Sequence, residues 1–125
     1  MARIMIVDDS PTLRASAKFT LEAMGHAVLQ AENGAAALTA LQSLGTAERA
    51  ELRMIITDVN MPEMDGITFT RKVKGSEFGG LPVLIMTTES QDDLKEEGRK
   101  AGASAWLVKP FKADQLSDAV KRLVK

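Results

Sequence analysis

Arg3-Ile4-Met5-Ile6-Val7-Asp8-Asp9-Ser10-Pro11 is the stretch that decides the fold. Its first half is a short, continuous apolar run, which suits a strand covered on both faces better than a half-wetted one. Its second half carries two acids, then a capping hydroxyl and a proline suited to the first position of a helix. A strand thus feeds a helix through a loop that bears Asp8 and Asp9. The succession recurs along the chain: Met54-Ile55-Ile56-Thr57 leads to Asp58, Val83-Leu84-Ile85-Met86 to Thr87, and Ala105-Trp106-Leu107-Val108 to Lys109. A further run, His26-Ala27-Val28-Leu29-Gln30-Ala31, alternates more and suits a sheet edge. Helical spacing lies between the runs, with Leu13, Ala17, Leu21 and Met24 in the first helix and Leu116, Val120, Leu123 and Val124 in the last. Strand then helix, five times over, predicts an α/β fold with a five-stranded parallel sheet, right-handed crossovers and five helices.

Asn33-Gly34 opens a second helix that runs to about residue 44, and residues 45–52 read as a polar connection. Gly66 starts the third helix, and residues 75–81 form a glycine-rich return to the next strand. The helix expected over residues 90–101 is mostly polar, is weakened at Gly98, and has only Leu94 and Ala101 as anchors. Two readings fit it: a solvated helix face, or the mobile part of a switch.

At 125 residues with 45% apolar content and a formal net charge of −1, the chain suits one compact domain and has no basic excess to attract nucleic acid. The absence of cysteine excludes a disulfide framework and thiolate chemistry. No apolar run approaches the ~20 residues needed to span a bilayer, and no leader pattern opens the chain, so the expectation is a cytoplasmic protein that does not engage a membrane.

If the runs are parallel strands, Asp8, Asp9, Asp58 and Lys109 emerge at one sheet edge. Two carboxylates ~4 Å apart repel by roughly 4 kcal/mol at an effective dielectric of 20, so three crowded acids call for a cation. Oxygen-only ligands with room for water match Mg²⁺. Asp58 is then a candidate nucleophile toward phosphorus. Lys109 would neutralise the transferred group, and the Thr87 hydroxyl would donate to one of its oxygens.

These residues also resemble a known family. Val7-Asp8-Asp9-Ser10 with Leu13-Arg14, Asp58-Val59-Asn60-Met61-Pro62-Glu63-Met64-Asp65-Gly66, Leu81-Pro82-Val83-Leu84-Ile85-Met86-Thr87 and Lys109-Pro110-Phe111 are similar to the receiver domain of two-component response regulators, above all the single-domain chemotaxis type. The resemblance implies one receiver domain over residues 1–125 with no output domain, in a doubly wound, flavodoxin-like sheet of strand order 2-1-3-4-5. It implies that Asp58 accepts a phosphoryl group from a histidine kinase. Asp9, Asp58 and the backbone carbonyl of Asn60 would bind Mg²⁺ directly, and Asp8 through a water. Thr87 and Lys109 would engage the phosphoryl oxygens, and the Lys109–Pro110 peptide would be cis. Thr87 and Trp106 would form the switch, Trp standing where the family commonly has Tyr. Asn60 and Glu89 would tune hydrolysis of the acyl phosphate. The implied role is signalling rather than enzymatic, with the protein assisting its own phosphorylation and dephosphorylation. The implied partners are a downstream protein target such as the flagellar motor switch, and a phosphatase.

Other readings stay open at this point. A phosphorelay intermediate or a phosphate sink would use the same residues. An aspartyl-phosphate hydrolase would need an acid at position 60, which is Asn60. A flavin-binding domain would need neutral donors where Asp8 and Asp9 stand. Trp106 also reads simply as partly buried packing, and Thr88 as a strand-end residue. His26 has no second histidine or cysteine with which to bind a metal. Met64 reads as packing in the loop before the third helix.

Overall fold

The computed structural model describes residues 2–88 and 92–124. Five parallel strands form one sheet: β1 (Arg3–Val7), β2 (Ala27–Ala31), β3 (Leu52–Asp58), β4 (Val83–Thr87) and β5 (Ala105–Val108), in the order β2-β1-β3-β4-β5. The helices are α1 (Pro11–Ala23), α2 (Gly34–Gln42), α3 (Thr46–Glu51), α4 (Gly66–Lys74), α5 (Asp92–Ala101) and α6 (Ala113–Leu123). β2 lies at one edge, as its alternation requires, and the strand order matches the expectation.

Alternation along the strands divides the core into two layers. Ile4, Ile6, Met54, Ile56, Leu84 and Met86 point to the face covered by α1 and α6, where they meet Leu21, Leu116 and Val120. Met5, Val7, Ile55, Val83 and Ile85 point to the other face, against Leu41, Phe69, Val73 and Ala101 from α2, α4 and α5. Both faces are dry, which is why the runs are continuous rather than alternating.

Helix starts follow local chemistry. The Ser10 hydroxyl accepts from the Leu13 N–H with Pro11 in the first turn, Asn33 accepts from the Ala36 N–H, and Asp65 accepts from Ile67 and Thr68. Each satisfies donors that a helix start leaves unpaired.

Residues 45–52 depart from expectation. They form the short helix α3 and the first residue of β3, so the described residues hold six helices where five were expected. None of the α3 residues is buried, so the segment lacks the apolar periodicity by which a helix is read. Its ends hold it instead. Glu48 accepts from the Gly45 N–H at 3.0 Å, and Glu51 pairs with Arg3 at 3.1 Å. Arg49 pairs with Glu77 at 2.8 Å and covers the Phe78 ring at 5.0 Å.

Helix α5 carries a third anchor. Gly98 is buried beside Leu94 and Ala101, and its missing side chain leaves room for the ring of Trp106. Residues 90 and 91, expected at the start of this helix, lie outside the described residues. Among the described residues no helix is long and apolar enough to cross a membrane.

Candidate phosphoryl-transfer site

The strand ends decide what meets. Asp8 and Lys109 follow β1 and β5, and Asp58 is the last residue of β3, all at the same edge of a parallel sheet. Asp8, Asp58 and Lys109 continue the phase of the strand residues that face α1 and α6. Asp8, Asp9 and Asp58 each offer a carboxylate oxygen within 4.8 Å of the others. Asp8 is fully buried and Asp58 is 6% exposed. Asp9 stands on the solvent side.

Lys109 lies across the two buried acids. Its Nζ is 2.9 Å from Asp8 Oδ2 and 3.3 Å from Asp58 Oδ2. Oδ1 of Asp8 accepts from the Ser10 N–H at 2.8 Å, and Oδ1 of Asp58 from the Val59 N–H at 2.8 Å. Burial pushes the Asp58 carboxyl above its ordinary value, Lys109 opposes the rise, and the Asp8 carboxylate adds to it. One ammonium among three acids leaves a local excess of negative charge in a partly dry place. Hard oxygen donors, an open side at Asp9 and this uncompensated charge fit a divalent cation of the Mg²⁺ type.

Thr87 ends β4 and is buried. Its carbonyl accepts from the Lys109 N–H at 2.7 Å, so the ends of β4 and β5 are fastened at the site. The Lys109–Pro110 peptide is cis, as expected. Asn60 lies exposed in the loop after β3. Glu89 lies outside the described residues. In that loop Gly66 donates to the Val59 carbonyl at 2.9 Å, and a Cβ on Gly66 would overlap the Asp58 carbonyl. Glu63 adopts a positive φ of 71°, a left-handed turn that side chains rarely take.

The family model described as the response regulator receiver domain matches residues 4–121. The chain belongs to the response regulator receiver family. This receiver is 35% identical to Protein PilH of Pseudomonas aeruginosa, over 99% of this chain and 98% of that one. It is 36% identical to chemotaxis protein CheY1 of Helicobacter pylori, over 95% and 94% of the two chains. The solved structure of chemotaxis response regulator CheY4 of Vibrio cholerae superimposes with a TM-score of 0.89 at 36% identity, over 99% of both.

Other residues of the receiver fall outside the site. Trp106 pairs with Ile85 in the β4–β5 ladder and packs, partly buried, on the α2–α4–α5 layer. Its Nε1 is buried with no hydrogen-bond partner among the described residues. Ile85, Trp106 and Thr87 share one face of the sheet. His26 accompanies the turn before β2, at the opposite end of the strands from the acids. Thr88 is exposed and lines a cleft of about 450 Å³ beside Lys109. Met64 packs against Gly34 at the start of α2. Arg14, unremarked in the sequence apart from the motif, reaches the site from α1, its guanidinium donating to the Asp8 carbonyl and to Gln30. The only sequence signal at this position was its place in the family motif.

Proposed function

We propose that the chain is a signalling module that accepts a phosphoryl group on Asp58 from a phosphohistidine of a partner kinase. The observation that supports this most is the convergence of Asp8, Asp9 and Asp58 within 4.8 Å, with Lys109 bridging the buried pair. Asp9, Asp58 and the Asn60 carbonyl would hold Mg²⁺, with Asp8 acting through a water. When bound, the ion neutralises the acids and the incoming phosphoryl oxygens together.

A carboxylate oxygen of Asp58 forms the new O–P bond as the P–N bond to the kinase histidine breaks, and the imidazole nitrogen keeps the electron pair. Lys109 transfers its ammonium from the carboxylates to the phosphoryl oxygens, and the Thr87 hydroxyl donates to another of them. Movement of Thr87 frees space on the face that it shares with Trp106. The indole then turns further inward, changing the surface made by α5, β5 and α6, where a protein target docks. Asn60 and Glu89 tune the lifetime of the acyl phosphate and the access of a phosphatase. Relatives named for chemotaxis support an output in motility control.

Intact mass after incubation with Mg²⁺ and a small acyl phosphate tests the reading. One phosphoryl adduct that requires both Mg²⁺ and Asp58, and that Asp58→Asn lacks, is the expected result, with a change in Trp106 fluorescence. No adduct in the wild type overturns it.

A further inference from the structure

We propose that Arg14 is a positioning residue for the cation site, setting where Asp9 stands by holding the peptide between Asp8 and Asp9. The inference rests on the phosphoacceptor reading above. Asp8 is fixed at every polar atom. Its N–H donates to the Ala31 carbonyl at 3.1 Å. Its carboxylate accepts from Ser10 at 2.8 Å and from Lys109 at 2.9 Å. Its carbonyl accepts from Arg14 Nη1 at 2.6 Å.

That last bond matters most for Asp9. The Asp8 carbonyl belongs to the same rigid peptide plane as the Asp9 nitrogen, so fixing the carbonyl fixes the direction in which the Asp9 Cα leaves the strand. Asp9 is exposed, and its place comes from the backbone on either side rather than from packing. Arg14 is itself held twice. Its own N–H donates to the Ser10 carbonyl at 3.0 Å as part of α1, and its Nε donates to Gln30 Oε1 at 3.1 Å on β2. The planar guanidinium thereby spans α1, β2 and the acid loop, which a lysine ammonium cannot do with the same two directed donors. Residues that orient metal ligands without touching the ion commonly govern affinity as strongly as this.

The test uses the full chain and Mg²⁺ alone, with affinity measured by calorimetry for the wild type, Arg14→Ala, Arg14→Lys and Gln30→Ala. Arg14→Ala is expected to weaken Mg²⁺ binding on the order of tenfold. Arg14→Lys should restore part of the loss, and Gln30→Ala should weaken binding less than Arg14→Ala. In acyl phosphate assays the half-saturating Mg²⁺ concentration should rise by more than the maximal rate falls, a split that simple loss of folded protein does not produce. Wild-type affinity in Arg14→Ala overturns the inference. If Arg14→Ala does not fold, wild-type affinity in both Arg14→Lys and Gln30→Ala overturns it equally. A wild type that neither binds Mg²⁺ nor accepts a phosphoryl group overturns the phosphoacceptor reading itself.

Discussion

Gly98 of α5 lies so close to Trp106 of β5 that a methyl group at 98 would come within 2.8 Å of Trp106 Cζ3 and 3.1 Å of Ile85 Cδ1. Alanine is favoured over glycine inside a helix by ~1 kcal/mol, so on propensity alone Gly98→Ala would stabilise the protein. The contact reverses the sign. Gly98→Ala should lower the denaturant midpoint and alter Trp106 fluorescence. In a Trp106→Leu background the same change should stabilise by up to about 1 kcal/mol. A double-mutant cycle checks this, with a coupling of roughly 1–3 kcal/mol expected.

Asp65 caps α4, and its oxygens accept from the N–H groups of Ile67 and Thr68 and from the Thr68 hydroxyl. Burial pushes its carboxyl up, but the Thr68 and Ile67 hydrogen bonds, with Arg71, hold it below the ordinary 3.8. A depressed folded value gives stability that is complete above the unfolded value and is lost as the pH falls through the folded one. Asp65→Ala should therefore cost about 1 kcal/mol at neutral pH, and the difference from wild type should shrink below pH 3.8. Urea titrations across that range measure it.

Lys109 is the only cation that the ion pairs place on Asp8 and Asp58 among the described residues. Lys109→Met leaves Asp8 buried without its partner, so metal-free stability should fall by roughly 3 kcal/mol. Added Mg²⁺ should recover more stability in this variant than in the wild type, as judged by thermal unfolding with and without the ion.

Gly66 has no room for a side chain, because a Cβ would overlap the Asp58 carbonyl. Gly66→Ala must displace the backbone of the loop that follows Asp58 or the start of α4. A loss of at least about 3 kcal/mol is expected, large for a single methyl group, and circular dichroism during chemical unfolding would register it.

Much of this was legible in the chain. Val7-Asp8-Asp9, Thr57-Asp58 and Val108-Lys109 each end an apolar run, and parallel strands bring their last residues to one edge whatever the details of packing. Continuous apolar runs demanded helices on both faces, and Ser10, Asn33 and Gly66 marked where three of those helices begin. Helix α3 was not legible, because a short exposed helix held by Glu48, Glu51 and Arg49 leaves no periodic apolar trace.

What the sequence by itself determined is the order of elements and the kind of group carried by each strand end, since both follow from local patterns of apolarity and capping. Only the tertiary structure decided which side chains are partners. Arg14 meets Gln30 across 16 positions and Lys109 meets Asp8 across 101. Gly98 has room for Trp106 only because α5 is laid on β5 at that height. Such distances depend on strand register and on how closely helices settle on the sheet, which the whole core sets together and no local stretch encodes.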